Sequence, residues 1–286
     1  MHLIPAIVII TCAGLSANPG VAGQASGQAA QARMDSAVAA GQPLTVHVIV
    51  ALCDNEHQGI IPVPDHLGNG ASPSTNLYWG ARYGVRHYLT HDAGWQVIRI
   101  DRQPFPGCLE RLILHRRLVR DSAEISVYLV AEAWHGAEMK AAVGRFLKIT
   151  AGCRRDSVSV VGGGDTSWVP VGSAAHIAAY VGHNGLMDFP APDSLRSTCG
   201  GVGLSAIVLA CASRSYFAGL LQRHGAHPLL LTTGLMAPEA YTLDAAVTGW
   251  LEGATSEEVR RRAARAYDRY QHCGQAAALR LFHSIP

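Results

Sequence analysis

The sequence predicts a three-layer α/β sandwich built on a mainly parallel sheet. Short runs of almost entirely apolar residues, of which 44–52 is the clearest, are typical of strands buried on both faces. Segments with apolar residues at helical spacing alternate with these runs, which favours a sheet covered by helices on both sides. The 286 residues, 49% of them hydrophobic, are enough for one such core, and no second composition regime indicates a second domain.

The start of the chain predicts export. Residues 3–15 are almost all apolar and small residues follow them, so residues 1–23 are interpreted as a signal peptide. The apolar run is shorter than the roughly 20 residues that a membrane-spanning helix needs. Residues 24–42, rich in Ala, Gln and Gly, are expected to form a flexible lead-in to a single domain at 43–286. We expect the mature protein to be periplasmic or secreted, without a lipid anchor or membrane contact.

Charge and cysteine content narrow the class of partner. The net charge of +2 is too small to indicate a nucleic acid, and the arginine-rich run at 260–269 is interpreted as the wet face of a helix. Removal of Cys12 with the signal peptide leaves an even number of cysteines, which in an oxidising compartment predicts disulfides. These cysteines are Cys53, Cys108, Cys153, Cys199, Cys211 and Cys273.

The elements of the first half follow from apolar spacing and its interruptions. In chain order we expect a strand at 44–52, a helix near 76–88 capped by Asn76, a strand at 95–100, an ambiguous segment at 110–119, a strand at 125–133 and a helix through 139–147. A loop rich in Pro and Gly joins the first strand to the first helix, and glycines 162–164 form a turn.

The second half repeats the alternation. In chain order we expect strands at 174–181 and 204–210, a helix at 215–223 closed by Gly225, a strand at 228–233 and two final helices. The last helix is expected to begin at Thr255, because Glu258 three residues later completes a capping box.

Two reactive side chains follow neighbouring strands of this scheme. His183 comes just after one strand and Cys211 just after the next, 28 residues later, a separation that fits one crossover between adjacent parallel strands. Ligands of parallel sheets bind at the carboxyl ends of the strands. A nearby imidazole can take the proton of a thiol and later protonate a leaving amine. Backbone N–H groups at Asn184, Gly185 and Cys211 are the expected oxyanion donors.

Both strand ends resemble one family. Residues 180–186 (YVGHNGL) and 210–217 (ACASRSYF) resemble the histidine and cysteine strand ends of the caspase, legumain and gingipain group of cysteine peptidases, legumain most closely. The likeness extends in element order over roughly 44–233. It implies a caspase-like sandwich and a cysteine endopeptidase in which Asn55 orients His183. The group has His directly followed by Gly, whereas Asn184 intervenes here.

The remaining assignments concern substrate binding, a second histidine, a metal site and a phosphate loop. Asp54 and Ser213 are assigned to substrate binding with Asn184 and Gly185. A second His–Gly pair begins at His135, but a helix and a strand separate it from the cysteine strand. A metal site would draw on His57, His66, Asp54, Asp65 and His183, whose spacing matches no strong motif. Glycines 162–164 lack the Lys-Ser/Thr of a phosphate loop, and we expect no cofactor.

The preferred function is an exported cysteine peptidase, or a related amidase or transpeptidase, acting on a peptide or protein substrate through Cys211 and His183. One alternative is a non-catalytic protein of the same fold that binds a peptide or glycan with the loops at 54–76 and 234–241. Another is a metal-dependent hydrolase. The cleavage specificity, the disulfide pairing and the oligomeric state do not follow from the sequence.

Overall fold

The computed structural model describes residues 19–162, 165–192, 195, 198–200 and 203–285. The apolar run at 3–15 and Cys12, on which the signal-peptide prediction depends, lie outside the described residues. No helix in the described part of the chain is long and apolar enough to cross a bilayer.

A large, mostly parallel sheet forms the centre of the molecule. The strands are β1 (Leu44–Ala51), β2 (Gln96–Phe105), β3 (Cys108–Arg120), β4 (Ala123–Trp134), β5 (Arg155–Gly162), β6 (Asp165–Gly172), β7 (Ile177–Val181), β8 (Ser205–Leu209), β9 (His227–Thr232) and β10 (Phe282–His283). Eight of them form the sheet in the order β10-β9-β8-β7-β1-β4-β3-β2. The five central strands β9, β8, β7, β1 and β4 are parallel, and the edge strands are antiparallel.

Helices cover both faces of this sheet. They are α1 (Pro19–Ala39), α2 (Val85–His91), α3 (Met139–Thr150), α4 (Ser213–Arg223), α5 (Ala240–Leu251), α6 (Ser256–Gln271) and α7 (Gln275–Leu281). The alternation along β1 shows the two cores: Val46, Val48 and Val50 pack with α1, α2, α5, α6 and α7, whereas Ile49 packs with α3 and α4. The prediction of an α/β fold with a mainly parallel sheet is confirmed.

A two-stranded hairpin, β5–β6, extends the α3 side of the sheet. Its Val158, Val160, Val169 and Val171 pack on buried residues of β3 and β4. Cys153, just before β5, lies at disulfide distance from Cys199, with their Cα atoms 5.1 Å apart. Among the described residues, one pair of cysteines is therefore placed to form a disulfide, as the even number of cysteines predicted.

The expected lead-in at 24–42 is largely helix. Ala30, Met34 and Ala37 of α1 are buried in the core. Arg33 donates to the carbonyl of Ala175 at 2.7 Å. The composition of this segment indicates a flexible lead-in, whereas the spacing of these three apolar side chains places them on one helix face, and that face packs on the core.

The helix expected near 76–88 begins only at Val85. Before it the chain runs in turns, and the Asn76 side chain holds Cys53 at both its N–H (3.0 Å) and its carbonyl (2.8 Å). A Cβ on Gly84 would stand 2.5 Å from the backbone of Trp79, so only glycine at position 84 permits the turns to pack this closely. The Asn76 side chain therefore anchors the end of β1 instead of capping a helix.

Two other expectations have clear outcomes. The ambiguous segment at 110–119 is β3, an antiparallel strand between β2 and β4. At the start of α6 the Glu258 N–H donates to the Thr255 hydroxyl at 3.2 Å, which confirms the predicted cap. The Glu258 carboxylate bonds to Arg262 and Arg265 instead of closing a capping box, and α6 is not the last helix, because α7 follows it.

Candidate active site

His183 and Cys211 follow adjacent strands that pair in parallel. Val181 of β7 is in register with Leu209 of β8, and each reactive residue lies two positions farther along its strand. The Gly182 N–H donates to the Leu209 carbonyl at 3.2 Å, which extends the pairing almost to the site. The prediction that these two strands are neighbours is confirmed.

A sharp turn between β8 and α4 presents Cys211. Ala212 has a positive φ of 50°, which turns the chain at once from strand to helix. Ser213 is fully buried below the turn; its hydroxyl donates to the Val208 carbonyl at 2.9 Å, and its N–H donates to the Thr232 hydroxyl at 3.1 Å. Ser213 thus braces the turn through backbone groups, and the structure does not place it on the substrate side as predicted.

The thiol of Cys211 is half-buried, unpaired with another cysteine, and in contact with the loop after β9. The Met236 N–H donates to Sγ at 3.4 Å, and the thiol lies 3.7 Å from the Met236 carbonyl. Both contacts hold the thiol against the backbone of Met236.

His183 is held by three contacts. Its ring Nε2 lies 2.9 Å from Oδ2 of Asp188. Its carbonyl accepts from the Tyr180 hydroxyl at 2.8 Å and from the Gly185 N–H at 3.0 Å. The N–H of Gly185, one of the expected oxyanion donors, is therefore engaged within its own loop.

Asn184 joins the histidine loop to the cysteine turn. Its side-chain Nδ2 donates to the Cys211 carbonyl at 2.7 Å, and its Oδ1 accepts from the Leu186 N–H at 3.2 Å. The side chain is fully buried. The residue that interrupts the family's His–Gly pair is thus a bridge that fixes the two reactive residues relative to each other.

Asn55 does not contact His183. Its amide donates to the Val63 carbonyl at 2.7 Å and accepts from the Val63 N–H at 3.1 Å, so both polar atoms serve the loop after β1. The group on the imidazole is the Asp188 carboxylate, which sequence reasoning missed. Only the short 3₁₀ turn at Gly185–Met187 carries Asp188 back to the histidine, and spacing alone does not reveal that turn.

Asp54 also serves its own loop. Its buried carboxylate accepts from the N–H groups of Glu56 (2.9 Å) and His57 (3.2 Å), and it pairs with the His57 ring at 3.0 Å. This is the ordinary behaviour of Asp in a turn, where the side chain bonds to backbone two or three residues ahead. Asp54, assigned from the sequence to substrate binding, is thus held by its own loop and lines a cavity that does not include Cys211.

A cavity of about 300 Å³ contains both reactive residues. Its lining comes from four strand ends and consists of Gly59, Ile60, Ile61, Val63, Tyr78, Gly182, His183, Met187, Cys211, Leu235, Met236 and Pro238. The cavity is thus mostly apolar and holds the thiol and the imidazole together, as a binding site for a reacting group requires.

A separate polar cavity of about 440 Å³ shares no lining residue with the first. Asp54, His57, Asp65 and His135 line it, so the second His–Gly pair belongs to a different cavity from that of Cys211. No group of three or more His, Cys, Asp or Glu side chains within the described ranges is placed to hold a metal ion. A cavity of about 900 Å³ between α1 and the start of α6 includes none of the predicted site residues.

The remaining thiols differ from Cys211 in their surroundings. Burial raises the pKa of Cys53 to about 11. Burial, with Glu132 nearby, also raises the pKa of Cys108 far above its usual range. Cys273 is exposed.

Comparisons with protein-family models, curated proteins and solved structures find no match to this chain.

Proposed function

We propose that this protein is an exported cysteine peptidase of the caspase, legumain and gingipain type, with Cys211 as nucleophile and His183 as general base and acid. One observation carries the proposal: Cys211 and His183 lie at the ends of adjacent parallel strands and line one cavity, and the Asp188 carboxylate bonds to the imidazole of His183. A nucleophile, a base and a group that orients the base are the parts that covalent acyl transfer needs.

The chemistry follows from these contacts. Nε2–H of His183 donates to Asp188, which leaves Nδ1 to accept the thiol proton. The thiolate attacks the carbonyl carbon, the C–N bond breaks, and His183 returns the proton to the leaving amine. Water then attacks the thioester, gives its proton to His183, and releases the acid and the thiol. An amine in place of water would give transfer.

Backbone groups complete the proposed site. The N–H groups of Asn184 and Cys211 are the proposed donors to the oxyanion, since that of Gly185 already bonds to His183. Cys211 lies two residues before the start of α4, at the amino-terminal end of that helix. The cysteine pair at 153 and 199, with Cys211 unpaired, supports a structural disulfide beside a free nucleophile in an oxidising compartment.

Selective alkylation tests this proposal. Purified protein is exposed briefly to iodoacetamide at several pH values, and each cysteine is quantified by mass spectrometry. Cys273 is an internal reference because it is exposed, whereas Cys211 is half-buried. An ordinary thiol at position 211 would therefore react more slowly than Cys273. We expect Cys211 to react about ten-fold faster near pH 7.

Two variants assign the cause. His183→Ala is expected to slow the labelling of Cys211 to the rate of Cys273 or below. His66→Ala, an exposed histidine in the β1 loop that is absent from the cavity lining, should leave the rate unchanged. If Cys211 is inert in the folded protein, or if His183→Ala changes nothing, the peptidase proposal fails and a binding protein of the same fold replaces it.

A further inference from the structure

The side chains around Cys211 carry information about the substrate. No Asp, Glu, Lys or Arg is among the described residues that line its cavity. Large apolar side chains come from three separate loops: Ile60 and Ile61 after β1, Met187 after β7, and Leu235 after β9. Three loops that are far apart in sequence thus contribute the same chemistry to one cavity.

Several of these side chains are exposed at the cavity. Ile61 is 85% exposed, Leu235 75% and Met187 46%. The other large exposed apolar side chains among the described residues lie mainly on β2, β3 and the β5–β6 hairpin, outside the lining. Apolar surface that converges on a reactive thiol gains free energy when a ligand removes it from water, so it indicates what the ligand carries there.

The reaction geometry defines which part of the ligand enters. In the thioester intermediate Sγ is bonded to the carbonyl carbon, and the side chain of that residue begins only two atoms farther on. That side chain must therefore occupy the space around Sγ, which is this cavity. A charged side chain would lose water there, and the nearest carboxylate, that of Asp188, is already bonded to His183, whereas a large apolar side chain would lose no such hydration.

We propose that the substrate has a large apolar residue, such as Leu, Met or Phe, at the position that supplies the scissile carbonyl. This inference rests on the proposed peptidase function and adds its specificity. The polar cavity beside Asp54 includes neither Cys211 nor His183 in its lining, so it is not the space that the thioester would occupy.

The test uses peptidyl acyloxymethyl ketones that alkylate a catalytic cysteine and differ only in the residue next to the reactive group. Leu, Phe, Asp, Asn and Arg are compared on the purified protein, with labelling of Cys211 followed by mass spectrometry. We expect the Leu and Phe probes to react at least about ten-fold faster than the Asp, Asn and Arg probes.

A charged variant in the cavity lining should change the relative rates of the probes. Met187→Arg places a positive charge at an exposed position of the lining and is expected to raise the rate of the Asp probe relative to the Leu probe by about ten-fold. Leu235→Arg, on the opposite loop, should act in the same direction. Trp168→Arg, an exposed apolar position on the β5–β6 hairpin, should leave the ratio unchanged.

The outcomes separate the two proposals. If a charged probe reacts fastest while iodoacetamide still selects Cys211 in a His183-dependent way, the specificity inference is overturned and the peptidase proposal stands. If all peptidyl probes react at one rate while iodoacetamide selects Cys211, the specificity inference is also overturned. If neither reagent selects Cys211, both proposals fail.

Discussion

At the scale of single residues, the turn after β7 does more than present His183. Asp188 at its end binds the imidazole, and Asn184 at its start binds the backbone of Cys211. Two polar side chains that flank the 3₁₀ turn at 185–187 thus fix both halves of the proposed dyad. Positioning of this kind decides the tautomer of a catalytic histidine and its reach to the nucleophile.

Gly59 offers a way to test the role of Asp188 without changing its charge. A Cβ at position 59 would stand 2.9 Å from Oδ1 of Asp188, so Gly59→Ala forces the carboxylate to move. We expect the iodoacetamide rate of Cys211 to fall by roughly ten-fold, because a hydrogen bond to a charged group contributes about 1.5 kcal/mol. Peptide-bond cleavage should fall in parallel, and the rate of Cys273 should not change.

Gly144→Ala in α3 is the matched control, since nothing lies within 4 Å of a Cβ there. It should leave the Cys211 rate unchanged and stabilise the helix slightly. A Gly59→Ala protein that labels Cys211 at the original rate would contradict the prediction that the position of the Asp188 carboxylate affects Cys211.

At the scale of elements, a strand, helix or cap could be predicted from the sequence where local signals set its conformation, and could not where distant contacts did. The strand at 44–52 and the cap at Thr255 are local: one is an unbroken apolar run and the other a three-residue spacing. The conformation of 76–84, where a helix was expected, depends instead on a distant contact. Asn76 bonds to Cys53, 23 residues earlier, and this contact accompanies the turns that precede α2.

The cap of α6 makes a prediction about stability. Thr255→Ala removes the hydroxyl that accepts from the Glu258 N–H, and we expect the free energy of unfolding to fall by about 1 kcal/mol. Urea titration followed by circular dichroism measures this. Thr255→Ser retains the hydroxyl and should recover most of the loss. An equal loss in both variants would attribute the effect to the methyl group and contradict the capping role.

At the scale of the whole molecule, the packing buries histidines away from the site. Burial, with Arg33 nearby, lowers the pKa of His176 to about 3, and burial lowers that of His227 to about 4. In the unfolded chain both have a pKa near 6.5. Below that pH the unfolded chain binds protons that the folded protein does not, so folding loses stability as the pH falls.

We therefore expect the free energy of unfolding to drop between pH 6.5 and about pH 4, by on the order of 2 kcal/mol for each of the two histidines at pH 4.5. Urea titrations at pH 7.5, 6.0 and 4.5 measure how steeply the free energy of unfolding falls with pH. His227→Gln should make this pH dependence less steep, whereas His66→Gln at an exposed position should not. A slope unchanged by His227→Gln would contradict the assignment.

The sequence by itself determined the class of fold, the main strands and helices, and the positions of His183 and Cys211 after two strands, because each depends on local apolar periodicity or on a position just after a strand. His183 and Cys211 could be paired from sequence since consecutive parallel strands tend to be neighbours. The tertiary structure alone decided which polar groups serve them. Asp188 reaches the imidazole through a short turn, Asn55 and Asp54 are occupied by their own loop, and Ser213 lies beneath the cysteine turn. Such contacts depend on the three-dimensional path of loops, where several polar residues compete for the same partners and only their geometry selects among them.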